Sequence, residues 1–365
     1  MKKIGIDARL YSQTGVGVYI RNLLNFLFQE DLKDLKFYIY LTNKDYYKVN
    51  FKNDHFIKRK ANYHWHTFGE QVGFLQTINH DKLDLMHFTY FSYPVFYRRK
   101  FITTLHDLTP LFFKTGKSST KSSFIYKLKH FFYRLVISSQ IKNSSAIITP
   151  TKSVKEQIIG YYGAQLKNKI FPIYEGINKE LILIKENQNL IKLFTDKFFI
   201  YVGNFYPHKN VERLIKAFSR TKNKYQLILI GPNDYFSERL KTLINNLNMQ
   251  KRIRFYFNPK KEDLVFFYKN AQALIHPSLS EGFGLPIVEA VYYQLPIIAS
   301  NIPVFKELLG KCYLSFDPCK ETDVETKIAQ FIQAKDNYTY KRGTMEKFSF
   351  KKMTKEILAL YRIYA

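Results

Sequence analysis

One local pattern occurs three times in this chain: a short apolar run, a turn that contains glycine, and a segment with helical spacing. It occurs at residues 4–27, at 198–218 and at 273–289. A strand that leads into a helix through a tight turn is the repeating unit of a doubly wound α/β sheet, whose strands run parallel. The sequence therefore predicts an α/β fold with such a sheet in each half of the chain.

The length of 365 residues suits two domains better than one. We expect a first domain at residues 1–175 and a second at 176–347, because the segment around 174–178 fits a crossover between them. Residues 348–365 have a helical pattern of their own. The apolar content of 46% is ample for two buried cores.

The composition limits the partners and the compartment. The formal net charge of +27 predicts an anionic partner, such as nucleic acid, anionic lipid or a phosphorylated ligand. Cys312 and Cys319 form neither a disulfide framework nor a zinc pattern. The N-terminus carries Asp7 and Arg9 where a signal peptide needs an apolar core, and we find no apolar run of about 18 residues. We therefore expect a cytoplasmic protein, peripheral at the inner membrane surface at most.

The stretch 278–289, Ser-Leu-Ser-Glu-Gly-Phe-Gly-Leu-Pro-Ile-Val-Glu, carries the strongest local signal. Gly282 and Gly284 let the backbone approach a ligand closely, and Pro286 suits the first turn of a helix. Free N–H groups at such a helix start form a seat for a phosphate. The sequence therefore predicts a phosphate-binding turn between a strand and a helix.

Two carboxylates frame this turn, with Glu281 expected on the loop and Glu289 inside the helix. Carboxylates accept hydrogen bonds from hydroxyl groups, so one can hold each end of a polyhydroxylated phosphate. The natural ligand of that description is a nucleotide sugar. The alternative is an ordinary strand, turn and helix with two solvated glutamates.

Three further positions carry weaker signals. Lys209 lies at a helix start, where a cation is poorly placed unless an anion is bound, although a surface lysine is the alternative. His106 ends a strand, where it can bond a sugar hydroxyl or serve a structural role. Gly15 and Gly17 form a turn near the N-terminus, but Ile20 replaces the third glycine of a dinucleotide fingerprint, which disfavours a dehydrogenase.

A basic segment follows His106. Residues 98–142 contain ten Lys or Arg and one acid, Asp107. Within it, residues 122–141 have helical spacing, with Phe124, Leu128, Phe131 and Leu135 on one side. The pattern is typical of a helix at an anionic membrane surface, and the alternative is a core helix whose lysines face water.

The pair Glu281 and Glu289, with Gly-Phe-Gly-Leu-Pro between them, resembles the donor-site signature of the family 4 retaining glycosyltransferases. Segments at 104–111 and 203–210 are similar to further parts of that family. The resemblance implies the GT-B fold, in which two Rossmann-like, doubly wound domains face a cleft and the last helix crosses back to the first domain.

The resemblance also implies an activity: retaining transfer of a hexose, with mannose from GDP-mannose as the best guess, to an oligosaccharide or lipid-linked acceptor in cell-surface polysaccharide synthesis. No cofactor or metal is expected, since no Asp-x-Asp occurs. The implied catalytic residues are Glu281, Lys209 and His106. The implied donor-binding residues are Gly203, Asn204, His208, Gly282, Phe283, Gly284, Leu285, Glu289, Gly15 and Gly17.

Two of these positions depart from the family pattern, because Asn204 and His208 stand where many members have arginine. A neutral histidine contributes little to binding a diphosphate near pH 7. The alternatives are a phosphorylase or epimerase on the same fold, a glycan-binding protein with an inactive site, and a basic nucleic-acid-binding protein. No nucleic-acid module is recognisable, so we expect a nucleotide-sugar donor and a glycan acceptor as partners and no nucleic acid.

Overall fold

The computed structural model describes residues 1–51, 53–113, 123–334 and 346–365, and for 123–129 it describes the backbone alone. The described chain forms two compact units. The first contains residues 1–111, 123–176 and 349–365. The second consists chiefly of residues 177–334 and 346–348.

The first unit is built on a parallel sheet, whose described strands lie in the order β3-β2-β1-β4-β5-β6-β7. Most of their residues are buried, as expected for apolar strands covered on both faces. The strand order reverses between β1 and its neighbour β4, which makes a topological switch point. The strands are β1 (Lys2–Asp7), β2 (Leu35–Leu41), β3 (Phe56–Lys60), β4 (Leu85–Phe88), β5 (Phe101–Thr104), β6 (Ala146–Thr149) and β7 (Ile170–Pro172).

Helices follow most of these strands, as the alternating pattern predicts. They are α1 (Val16–Leu27), α2 (Asn43–Tyr46), α3 (Leu75–His80), α4 (Thr109–Phe112), α5 (Ser123–Asn143) and α6 (Lys152–Tyr162), with a π-helical turn at Glu70–Phe74 and a 3₁₀ helix at Ala164–Lys169.

Helix α5 confirms a helix in the basic segment but not the side predicted to be apolar. Phe131 and Leu135 are exposed, whereas Ile137 and Ile141 are buried against the first unit. Periodicity shows which residues share a side of a helix, but not which side the sheet covers. Residue 122 and the side chains of 123–129, which include the predicted apolar positions 124 and 128, lie outside the described residues.

The second unit repeats the architecture with a parallel sheet in the order β10-β9-β8-β11-β12-β13 among the described strands. The chain runs from β8 outward to β10 and then returns to β11, on the other side of β8. A switch point therefore lies between β8 and β11, where ligands of such sheets bind beyond the carboxyl ends of the strands. The strands are β8 (Phe198–Val202), β9 (Gln226–Gly231), β10 (Ile253–Phe257), β11 (Leu274–His276), β12 (Ile297–Ser300) and β13 (Leu314–Phe316).

Amphipathic helices cover this second sheet. Helix α8, for example, buries Leu214, Ile215 and Phe218 in the core of the unit. The helices are α7 (Lys179–Leu183), α8 (Val211–Arg220), α9 (Tyr235–Asn246), α10 (Lys261–Asn270), α11 (Leu285–Tyr292), α12 (Pro303–Leu309) and α13 (Glu321–Ala334), with 3₁₀ turns at Gln188–Lys192 and Pro207–Lys209.

The last helix, α14 (Phe350–Tyr364), belongs to the first unit, where it packs against α1. Its Tyr361 is fully buried, and the hydroxyl lies 2.7 Å from Nδ1 of His87 in β4. Arg362 donates from Nε to Oδ2 of Asp34 over 3.0 Å. The C-terminal residues are therefore an integral part of the first unit.

Candidate active site

The candidate site lies at the switch point of the second unit, on the loops that follow β8 and β11. Hydrogen bonds to main-chain carbonyl groups join these loops. The main-chain N–H of Leu279 donates to the carbonyl of His208 over 2.8 Å, and Nδ2 of Asn210 donates to the carbonyl of Pro277 over 3.1 Å. Residues that are about 70 positions apart in sequence are thereby held in one site.

Glu281 is the centre of a convergent set of donors. Its side chain is 8% exposed, and its Oε1 accepts hydrogen bonds from Nζ of Lys209 at 2.7 Å, Nε2 of His276 at 2.9 Å and Oγ of Ser278 at 2.7 Å. The described residues place no hydrogen bond on Oε2. One carboxylate oxygen is therefore fully used by the protein and the other remains for a ligand.

The electrostatics keep Glu281 ionised. Burial by itself raises the pKa of a carboxyl group, but the charge of Lys209 and the hydrogen bond from His276 more than offset it, so the pKa of Glu281 is well below its usual range. The predicted loop position of Glu281 is confirmed. The side chain of Lys209 is only 15% exposed and pairs with Glu281, which disfavours the alternative of a free surface lysine, and its contact with a diphosphate remains a prediction.

Glu289 has the opposite environment, although it too is buried. It lies in α11, as predicted, and its Oε2 accepts one hydrogen bond, from the hydroxyl of Tyr268 at 2.6 Å. Burial raises the pKa of Glu289 to about 7, and the Tyr268 hydrogen bond offsets this only in part. Near neutral pH this carboxyl group therefore exchanges a proton easily.

The segment that contains both glutamates has the predicted order: strand β11, a turn with glycine, and helix α11. Gly284 precedes α11 with a φ of 86°, in the left-handed region that favours glycine. A Cβ at this position would lie 3.1 Å from Cε1 of Phe305. Leu285 begins α11, so its N–H has no intrahelical partner, and the N–H groups of Phe283 and Gly284 precede it on the loop.

The other predicted donor-binding residues of the second unit lie on the loop after β8. Gly203 ends the strand, and its N–H donates to the carbonyl of Ile230 over 3.0 Å. Oδ1 of Asn204 accepts from the N–H of Tyr206 over 3.3 Å. His208 is buried, and this burial, followed by the charge of Lys209, lowers its pKa to about 4. His208 is thus neutral near pH 7, as expected, and adds no positive charge.

The remaining predicted residues belong to the first unit. Both ring nitrogens of His106 face acceptors, with Nδ1 3.2 Å from Oε1 of Glu175 and Nε2 3.0 Å from the carbonyl of Thr89. A sugar contact through His106 remains a prediction, and it requires one of these bonds to be exchanged.

The two glycines near the N-terminus differ from each other. Gly15 is exposed at the start of α1 with a φ of 63°. Gly17 is buried within α1, where a Cβ would lie 2.8 Å from the carbonyl oxygen of Tyr11. Close packing accounts for Gly17, whereas Gly15 is the one that is open to a ligand.

The sequence analysis missed three residues that shape the site: His276, Ser278 and Tyr268. His276 carried a usable signal, because it ends a buried strand in the same manner as His106. Tyr268 carried none, since it stands at the end of an apolar helical run and only the fold brings it to Glu289.

Comparisons with known proteins identify the family of each half of the chain. The family described as "Glycosyltransferase Family 4" matches residues 14–181, and the family described as "Glycosyl transferases group 1" matches residues 184–346. The chain belongs to the glycosyltransferases, with a family 4 first domain and a group 1 second domain. The membership predicted from the glutamate pair is thereby confirmed.

Among curated relatives, the chain is similar to the O-antigen chain mannosyltransferase RfbU of Salmonella typhimurium, with 27% identity over 79% of this chain and 76% of that protein. Among solved structures it resembles sucrose-phosphate synthase from Thermosynechococcus elongatus (TM-score 0.79, 17% identity, 99% of this chain and 98% of that one). It also resembles HepE from Anabaena in complex with UDP and glucose (TM-score 0.73, 16% identity, 99% and 100%). These structures confirm the predicted GT-B fold class with its two Rossmann-like domains.

Proposed function

We propose that this glycosyltransferase transfers a hexose, with mannose from GDP-mannose as the leading candidate, to a lipid-linked glycan in the synthesis of a cell-surface polysaccharide. The observation that carries the proposal is Glu281, an ionised buried carboxylate with one oxygen saturated and the other open, beside Lys209. Such a group accepts hydrogen bonds from sugar hydroxyls while its neighbour attracts phosphate.

In the proposed reaction, the bond between the anomeric carbon and the diphosphate oxygen breaks while an acceptor hydroxyl bonds to the same carbon on the same face. The acceptor proton passes to the departing phosphate oxygen, and no covalent enzyme intermediate forms. Negative charge grows on the diphosphate, so Lys209 and the N–H groups at the start of α11 stabilise the transition state. Glu289 holds the ribose hydroxyls, and no metal ion is needed.

The choice of mannose and of a surface polysaccharide is supported by the resemblance of the sequence to mannosyltransferases, of which the O-antigen mannosyltransferase of Salmonella is one. Glucosyl, galactosyl and rhamnosyl donors are the competing possibilities. The direct test is a thermal-shift panel of GDP-mannose, UDP-glucose, UDP-galactose and dTDP-rhamnose, because a ligand that binds the folded state raises its melting temperature. We expect GDP-mannose to give the largest shift. A larger shift with another nucleotide sugar would make that sugar the leading candidate in place of mannose. No shift with any of the four would contradict the proposed function.

We further propose that the first unit binds an anionic membrane surface. On α5, Phe131 and Phe132 are each 56% exposed and Leu135 is 50% exposed, and Arg134 lies between them in sequence. Exposed aromatic and aliphatic side chains beside cations suit a bilayer interface, where each cation contributes about 1 kcal/mol. Of the helices in the described ranges, none combines the length and apolar character needed to cross a bilayer.

Vesicle sedimentation tests this surface. We expect binding to phosphatidylglycerol vesicles and little binding to phosphatidylcholine vesicles. The double variant Phe131→Ser/Leu135→Ser should bind at least several-fold more weakly, whereas Tyr235→Ser, which removes an exposed aromatic from the second unit, should bind as the wild type does. Equal binding by all three proteins would contradict the membrane proposal and leave the transferase proposal intact.

A further inference from the structure

The donors around Glu281 differ in kind. The Lys209 ammonium is a compact charge on a flexible side chain, so its contact with Oε1 neutralises the carboxylate but constrains the direction of the bond little. Nε2 of His276 and Oγ of Ser278 come from residues whose main chain is fixed at the end of β11, and they add directional hydrogen bonds to the same oxygen, Oε1. Oε1 thus accepts three hydrogen bonds, whereas the described residues place none on Oε2, so Oε2 is the oxygen with acceptor capacity for a further hydroxyl.

The His276 ring is held rigidly for this contact. It is 1% exposed and stacks on the Tyr201 ring at 5.7 Å and 19°, while the Phe305 ring meets it nearly edge-on at 5.5 Å and 68°. The ring therefore cannot turn without displacing two buried aromatic side chains.

The second ring nitrogen of His276 shows what this ring orientation costs. Its Nδ1 is buried and has no hydrogen-bond partner among the described residues. An unpaired buried polar atom is costly, and such atoms are rare in folded proteins. The hydrogen bond from Nε2 to Glu281 explains the unpaired Nδ1, because this bond fixes the ring in the orientation that leaves Nδ1 without a partner.

We propose that His276 and Ser278 are positioning residues that anchor Oε1 of Glu281 and thereby present Oε2 to a hydroxyl of the transferred sugar. This inference rests on the proposed function and deepens it. Because Glu281 is assigned to the sugar and Glu289 to the ribose, the loss of His276 weakens binding of the sugar and leaves binding of the nucleoside diphosphate unchanged. A residue with a merely structural role would affect both ligands.

The test compares the dissociation constants of GDP-mannose and GDP by titration calorimetry, and those of UDP-glucose and UDP if the wild type binds only that pair. His276→Leu fills the space but removes the donor. It should reduce the preference for the sugar nucleotide over the diphosphate about tenfold, which corresponds to one charged hydrogen bond. Ser278→Ala should reduce it about threefold to fivefold, and His276→Gln, which restores an N–H donor at similar reach, should recover most of the preference.

His87→Gln is the matched control. His87 is equally buried near a strand end, but it lies in the first unit, and its nitrogens contact Tyr361 and Thr104. This variant should lower the melting temperature without changing the preference. If His276→Leu does not fold, Ser278→Ala decides alone. Equal losses for both ligands, or no change in either variant, would overturn the positioning role, whereas a wild-type protein that binds none of the four nucleotide sugars of the thermal-shift panel would overturn the proposed function itself.

Discussion

Glu281 and Glu289 are chemically identical side chains, eight positions apart and equally buried, yet the protein gives them opposite electrostatic surroundings. Glu281 accepts three hydrogen bonds, one of them from a cation, and burial does not prevent its ionisation. Glu289 accepts one hydrogen bond from a neutral hydroxyl, and burial raises its pKa to about 7. When burial is equal, the number and charge of the donors therefore decide whether the pKa of a carboxyl group ends above or below its usual value.

The largest expected effect concerns transfer activity. Glu281→Gln keeps the shape of the side chain but removes its charge, so Lys209 loses its ion-pair partner and the sugar loses a strong acceptor. We expect kcat/KM for sugar transfer to fall by about 100-fold or more, the loss typical of a group that acts in the transition state. Glu289→Gln should reduce it less, because an amide still binds ribose hydroxyls. A Glu281→Gln protein with wild-type activity would remove the mechanism.

The second effect concerns stability. The Glu289 carboxyl group keeps its proton to about pH 7 in the folded state and loses it near pH 4.5 when unfolded, so the folded state loses stability as the pH rises between these values. The total is roughly 3 kcal/mol. In urea unfolding, the free energy of unfolding of the wild type should therefore fall relative to that of Glu289→Gln as the pH rises from 5 to 7. Parallel profiles in the two proteins would contradict the raised pKa.

The contribution of Glu281 to stability changes with pH in the opposite direction. Its pKa is lowered in the folded state, so it stabilises the protein above the ordinary carboxyl pKa, and this contribution is lost only as the solution becomes strongly acidic. Buried histidines act in the other direction between pH 5 and pH 7, because the pKa of His208, for example, is lowered to about 4 in the folded state. The contribution of Glu289 is therefore the difference between the wild type and Glu289→Gln.

The third effect is a pH dependence of nucleotide binding. If ribose hydroxyls bind the ionised form of Glu289, bound GDP must displace a proton below pH 7. We expect the dissociation constant of GDP to increase about tenfold between pH 8 and pH 6, given a pKa of about 7. Calorimetry in two buffers of different ionisation enthalpy measures the released proton directly. In Glu289→Gln the affinity should vary little over this range, and an equal pH dependence there would assign it to another group.

The smallest effect comes from the one donor to Glu289. Tyr268→Phe keeps the ring that stacks on Tyr293 at 5.7 Å but removes the hydroxyl. The pKa of Glu289 should rise further, and the affinity for GDP at pH 7 should fall about threefold to fivefold, as for one neutral hydrogen bond. Tyr293→Phe is the control, because that hydroxyl donates to the carbonyl of Leu181 instead of to Glu289. An equal loss of GDP affinity in both variants would show that the Tyr268 hydrogen bond to Glu289 is not the cause.

The sequence predicted the positions of both glutamates correctly, because glycine and proline restrict the backbone locally. Gly284 and Pro286 indicated where the loop ends and α11 begins, and that is enough to place Glu281 on the loop and Glu289 in the helix. The protonation states could not be predicted, since they depend on Tyr268 and His276, which the fold brings into contact. The exposure of Phe131 could not be predicted for a similar reason, because helical spacing does not show which side of a helix the sheet covers.

The most direct test of the account is a crystal structure of the chain with the nucleotide sugar that gives the largest thermal shift. The account predicts a sugar hydroxyl within hydrogen-bond distance of Glu281 Oε2, with Oε1 still bound to Lys209, His276 and Ser278, and the ribose hydroxyls on Glu289. A sugar bound away from Glu281, or hydroxyls bound to Oε1 after its donors have moved away, would contradict it.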